Sequence, residues 1–115
     1  MIRLWKAFLN TLSGLRWALR HEAAVREEIA ALALGVPLSF FVAASPGWWL
    51  ALIGALLLLL IVELLNTAIE KLSDHVTPEH SVAIKVVKDL GSAAVFIALV
   101  LAFATWVVGL VVRFW

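Results

Sequence analysis

The stretch Leu50-Ala-Leu-Ile-Gly-Ala-Leu-Leu-Leu-Leu-Leu-Ile-Val62 carries no charge, and Glu63-Leu-Leu-Asn66-Thr67-Ala-Ile-Glu70-Lys-Leu-Ser-Asp74 follows it without a break in helical pattern. The apolar run, opened by the aromatic pair Trp48 and Trp49, reads as the membrane-crossing part of a helix with an interfacial belt at its start. In the continuation, Glu63, Asn66, Thr67, Glu70 and Asp74 recur at steps of three and four and so share one face. A carboxylate at the depth of Glu63 costs about 2.5 to 3.5 kcal/mol on insertion scales, and something must offset that cost. Asn and Thr often do no more than glue helices together. Two glutamates and an aspartate on one stripe favour a metal or proton-handling site instead.

Outward from this helix, the chain reads as helical and membrane-bound throughout. Its 115 residues are 64% hydrophobic with a mean hydropathy of +1.06, more apolar surface than a soluble domain of this size buries. Ile29 to Ala44 is apolar and ends at the turn signal Ser45-Pro46-Gly47, so a span over about 29–45 and one over about 48–70 form a helical hairpin. A third span over about 90–113 contains the apolar run Ser92 to Val112 and closes on Arg113, Phe114 and Trp115 as an interfacial anchor. From residue 1 to about 28, Ile2, Trp5, Leu9, Leu12, Leu15 and Leu19 alternate at helical spacing with Arg3, Lys6, Asn10, Ser13, Arg16 and Arg20. That pattern predicts an amphipathic helix lying in the headgroup region; a soluble helix packed on the core is the plainer alternative. The interrupting cations also argue against a cleavable signal peptide.

Charge placement sets the orientation. Arg3, Lys6, Arg16, Arg20, Arg26, Lys71, Lys85 and Lys88 flank one side of the spans and Arg113 the other, which predicts a cytoplasmic N-terminus. The polar stretch from Glu70 to Asp89 then becomes the one sizeable cytoplasmic loop, broken by Thr77-Pro78-Glu79, where Thr and Pro open a new helix. A net charge of +1 gives no basis for nucleic-acid binding, and the absence of cysteine excludes thiolate chemistry and disulfides. There is no internal repeat, and one domain covers residues 1–115.

Two further clusters lie at the same boundary as the polar stripe. His21-Glu22-Ala-Ala-Val-Arg26-Glu27-Glu28 sits where the surface helix meets the first span, and an ordinary solvated face accounts for its Glu22 to Arg26 spacing. Lys85-Val-Val-Lys88-Asp89-Leu-Gly91-Ser92 marks the mouth of the third span, where Gly91, Ser92, Ala93 and Ala94 allow close helix approach. Carboxylates able to hold a hard cation and a lysine able to meet phosphate can converge there, as phosphoryl transfer requires. No Gly-rich phosphate loop is present, so a nucleotide site must be built differently.

The strings Glu22-Ala-Ala-Val-Arg26-Glu-Glu28, Glu63-Leu-Leu-Asn66-Thr-Ala-Ile-Glu70 and Lys88-Asp89-Leu-Gly-Ser92-Ala-Ala-Val resemble the prokaryotic diacylglycerol kinase family over nearly the whole chain. The resemblance implies an all-α integral membrane homotrimer in the bacterial inner membrane, each protomer having a surface helix and three transmembrane helices, with active sites shared between protomers. It implies ATP-dependent phosphorylation of diacylglycerol with Mg2+ as cofactor. By the match, Glu63 is the catalytic base with Asn66 beside it on the stripe, and Glu22 and Glu70 hold the metal that bridges the ATP phosphates. Lys88, Asp89, Arg3 and Glu79 match nucleotide contacts, and Ser92, Arg26 and Glu28 match positions lining the lipid site. Asn10 stands where the family carries an aromatic nucleotide contact, and His80 and Ser81 also depart from the pattern. Undecaprenol kinases share the same strings, although Gly91-Ser92-Ala-Ala-Val95 is closer to the diacylglycerol branch. From another class, a non-catalytic adaptor or proton-conducting subunit would also use a Glu63 stripe, but would need no counterpart to Lys88 and Asp89.

Overall fold

The computed structural model describes residues 1–76 and 81–115, and every element among them is helical. Helix α1 covers Ile2–His21, α2 Ala23–Val42, α3 Pro46–Val76 and α4 Val82–Phe114. Both α3 and α4 are long and apolar enough to cross a membrane.

The surface helix expected over about 1–28 is divided. Glu22 adopts an extended conformation (φ −121°, ψ 112°), so α1 stops at His21 and α2 starts at Ala23, well before the span expected from 29. Nothing in the local composition forces that break, and the bond that holds it is tertiary. Arg26 Nη1 donates to the Leu19 carbonyl (2.9 Å), filling an acceptor left open where α1 ends. Arg20 in the last turn of α1 adds a favourable interaction with the helix dipole.

The α2–α3 connection is as short as the sequence predicts. Ser45 caps α3, with its Oγ accepting from the Trp48 N–H at 3.2 Å, and Pro46 occupies the first helical position, where its missing N–H costs nothing. The polar stretch Glu70 to Asp89, by contrast, is not one loop. Helix α3 runs on to Val76 and α4 begins at Val82, because the polar residues occupy one face of each helix and leave the backbone pattern intact. The Thr77-Pro78-Glu79 break and His80 lie outside the described residues.

Helices α3 and α4 run antiparallel along a single seam. On α4 the buried positions are Gly91, Ala98, Ala102 and Gly109, all small, and they admit the larger α3 side chains Leu52 and Leu59. Ala55, Leu59, Ala98 and Ala102 form the core, with Val62 packed against it. At the far end a Cβ on Gly109 would sit 2.9 Å from Leu52 Cδ2, and Trp106 Nε1 donates to the Leu52 carbonyl at 3.1 Å. Helix α2 crosses α3 antiparallel, with Gly35 beneath Leu56, where a Cβ would come within 2.7 Å of Leu56 Cδ1. Arg113 Nε donates to the Phe41 carbonyl at 3.3 Å, tying the ends of α4 and α2 together. Large side chains such as Leu34, Phe41, Leu50, Phe96 and Phe103 point outward and stay exposed.

Candidate active site

The buried stripe of α3 changes character along its length. Leu52, Ile53, Ala55 and Leu59 lie on it first, and Glu63, Thr67 and Ser73 continue it. Glu63 is 9% exposed, so the stripe delivers a carboxylate to the helix contact at the level where the apolar packing ends.

Three elements bring acidic side chains to that level. Glu63 and Glu70 come from α3, Glu28 from the second turn of α2, and Glu22 from the extended residue between α1 and α2. The charges of Glu70 and Glu22 act on Glu63, and that of Glu63 acts on Glu28. Mutual repulsion of this kind makes the cluster a strong attractor for a cation. Asn66 Nδ2 donates to Glu70 Oε1 at 3.2 Å, which orients the Glu70 carboxylate. The other amide atom, Asn66 Oδ1, and Glu28 Oε1 are buried without a partner among the described residues. Buried oxygens left unpaired are expensive unless something arrives to use them.

Gly91 makes this placement possible. A Cβ there would run into Asn66 Oδ1 and lie 3.1 Å from Asn66 Cγ, so the amide rests directly on the α4 backbone. Of the small residues expected to allow close approach, Gly91 alone is buried, while Ser92, Ala93 and Ala94 are exposed.

The basic residues of α4 are engaged beside the cluster. Lys88 Nζ bonds Asp74 Oδ1 at 2.7 Å, and Lys85 Nζ bonds Asp89 Oδ2 at 2.6 Å. Asp74 is exposed on the last turns of α3 beyond the apolar run, and the hydrogen bond from Lys88 holds its carboxyl below the ordinary value. Both pairs are solvated, so they are readily exchanged for another anion.

Asn10 borders a cleft of about 350 Å³ between α1 and α3, whose walls include Gly14, Trp17, Thr67 and Lys71. Sequence reasoning passed over Lys71 and Trp17: Lys71 Nζ lies 3.7 Å from Glu22 Oε1 and 5.5 Å from the centre of the Trp17 ring. Arg3 is exposed in the first turn of α1, away from the residue cluster at that helix's other end. Arg26 is occupied by the Leu19 carbonyl. Glu79 lies outside the described residues.

Among the described residues no three acidic or imidazole groups converge closely enough to hold a metal by themselves. The donor set still fits a hard divalent cation of the magnesium type. Such an ion is bound by one or two carboxylates together with substrate phosphates rather than by an all-protein cage. The unpaired oxygens of Glu28 and Asn66 leave further acceptor capacity in the same place.

Comparison with known proteins places the chain in a family. The model of the prokaryotic diacylglycerol kinase family matches residues 9–110. The diacylglycerol kinase of Pseudomonas aeruginosa is 40% identical over 104 residues, covering 90% of this chain and 85% of its own. That of Escherichia coli K12 is 38% identical with the same coverage, and that of Helicobacter pylori is 33% identical over 104 residues, 90% and 81% of the two chains. Matched by the family model over residues 9–110 and by relatives over 90% of its length, the chain belongs to the prokaryotic diacylglycerol kinase family.

Proposed function

We propose that this protein transfers the γ-phosphoryl group of ATP to the hydroxyl of diacylglycerol, giving phosphatidic acid. Family membership supports the reaction, and one structural observation carries the site. Glu63 sits where the apolar seam of α3 ends, within the electrostatic reach of Glu22, Glu28 and Glu70 from three elements. A lipid hydroxyl arriving from the bilayer and a nucleotide arriving from water can reach each other at that level.

In this reading Glu63, the carboxylate nearest the apolar run, takes the proton of the lipid hydroxyl. The hydroxyl oxygen then bonds to the γ-phosphorus, and ADP leaves. Asn66 keeps Glu70 in place through its 3.2 Å hydrogen bond. Glu22 and Glu70 would hold Mg2+, which would supply charge neutralisation on the phosphates. Lys88 and Asp89 trade their exposed partners, Asp74 and Lys85, for nucleotide contacts. By the family match Arg3, Asn10 and Glu79 are further nucleotide contacts; Asn10 is on the wall of the α1–α3 cleft, and Arg3, at the far end of α1, would reach the nucleotide from another protomer. Arg26, Glu28 and Ser92 line the approach of the lipid. Phosphoryl transfer gains chiefly from positioning and charge neutralisation, so the metal ligands and Lys88 contribute more than the strength of the base.

The same reading makes residues 1–115 a single kinase domain. It places α1 on the inner membrane surface, with the N-terminus cytoplasmic, and has α2 cross the bilayer beside α3 and α4. Trp5, Phe8 and Leu12 of α1 are exposed, as a helix resting in lipid headgroups requires. A homotrimer with shared sites is supported by the few helices one protomer has to enclose two substrates, and the exposed apolar faces of α3 and α4 leave room for further copies as well as for lipid. Native mass spectrometry from a bilayer mimetic tests the assembly, and a fully active monomer overturns it.

The deciding assay measures ATP consumption and lipid product for the purified protein in bilayers carrying diacylglycerol or undecaprenol. Phosphatidic acid formation supports the proposal. Phosphorylation of undecaprenol alone moves the substrate to the polyprenyl branch, and no lipid-dependent turnover returns the chain to a non-catalytic role.

A further inference from the structure

Lys71 stands where α1, the extended residue Glu22 and α3 meet. Its ammonium lies 3.7 Å from Glu22 Oε1 and 5.5 Å from the centre of the Trp17 ring. Trp17 is itself fixed by stacking on His21, with ring centres 4.6 Å apart. Lys71 also forms part of the wall of the cleft that Asn10 and Thr67 border. An aromatic face attracts an ammonium by its quadrupole, so Trp17 favours the position of the lysine beside the carboxylate. The charge of Glu22 acts on Glu63, and Lys71 is the cation that Glu22 touches among the described residues.

We propose that Lys71 is a resident counter-ion of Glu22, which a divalent cation displaces on binding, so that this lysine sets how readily the site takes up metal before nucleotide arrives. The proposal rests on the reading of Glu22 as a metal ligand. The ion pair is open to water, with side-chain exposures of 55% for Lys71 and 24% for Glu22, so displacement is not prohibitive. Phosphate oxygens in the adjacent cleft offer the released ammonium new acceptors. Nucleotide therefore strengthens metal binding partly by removing the competitor, and metal and nucleotide are coupled through one side chain.

Mn2+ binding to the full-length, nucleotide-free protein in detergent, followed by electron paramagnetic resonance, tests this directly. Lys71→Met is expected to tighten the Mn2+ Kd by about two- to fivefold, the range of an exposed ion pair, while Lys71→Arg stays at the wild-type value. A non-hydrolysable ATP analogue should then tighten Mn2+ less in Lys71→Met than in the wild type. If Lys71 only braces α1 against α3, its loss loosens the cleft and Mn2+ binds no better or more weakly; that result, with Glu22→Gln still weakening Mn2+, overturns the role of Lys71. Wild-type Mn2+ affinity in Glu22→Gln overturns the metal reading of Glu22 itself, and the counter-ion role with it.

Discussion

Asn66 rests on Gly91, its amide pressed against a backbone that has no side chain to keep it away. The contact joins α3 to α4 beside Glu63 and Glu70, so helix packing and site geometry share one close approach. Gly91→Ala should therefore disturb both. Overpacking at a close contact costs about 1 to 3 kcal/mol, and the thermal unfolding midpoint in detergent should fall along with turnover. The double variant Gly91→Ala/Asn66→Ala should regain stability, because the clash is removed, without regaining activity.

Glu63→Gln keeps the shape of the side chain but removes its capacity to accept a proton. Turnover should fall by about two to four orders of magnitude, with the KM for ATP little changed. Because the substitution also removes a buried charge, thermal stability should be equal or higher. Near-normal turnover at saturating ATP and diacylglycerol would mean that another group takes the proton.

Glu22→Gln and Glu70→Gln should raise the Mg2+ concentration needed for half-maximal activity while leaving insertion and assembly intact. In Glu70→Gln the amide oxygen can still accept from Asn66, so local packing is preserved and the change isolates the charge. An unaltered Mg2+ titration in either variant would remove that residue from the metal site.

Lys88 and its partner Asp74 should separate kinetically. Lys88→Met removes a cation assigned to the nucleotide and should raise the KM for ATP by about tenfold or more, the scale of a charge-assisted hydrogen bond. Asp74→Asn weakens an exposed pairing and should shift the same constant by about fivefold or less. Equal effects of the two substitutions would make the ion pair structural.

Arg26→Ala should loosen the end of α1 by withdrawing the donor to the Leu19 carbonyl. Hydrogen exchange followed by mass spectrometry should show faster exchange over residues 17–25, with the α3–α4 seam unchanged. Uniform exchange across all helices would show that the guanidinium acts elsewhere.

The helical hairpin, the polar stripe of α3 and the span in α4 were legible because periodicity and charge report directly on which face of a helix meets what. Glu63, Asn66 and Glu70 fall together on α3 as the spacing required. Four features were not legible for physical reasons. The break at Glu22 lies in a segment where every residue tolerates a helix, and the bond that bridges it, Arg26 to Leu19, matches no helical spacing. The polarity between Glu70 and Asp89 read as a loop, although it belongs to solvated helix faces. Lys71 looked like one more flanking charge, since no local pattern announces that an α3 lysine meets Glu22 across the cleft. Smallness at positions 91 to 94 was visible, but which of the four faces α3 depends on the rotation of α4.

Pro46 begins the same uninterrupted helix that carries Glu63 on its inner stripe. Seventeen residues of α-helix separate them, a rise of about 26 Å, against a hydrocarbon thickness of about 30 Å. Helix α3 is thus long enough to act as a ruler for the bilayer, with tryptophans at one mark and the proposed base at the other. On the proposed role of Glu63, thickening or thinning the membrane would move lipid hydroxyls relative to that mark, so that acyl-chain length should change the rate through geometry alone, independent of any pocket that recognises the chains.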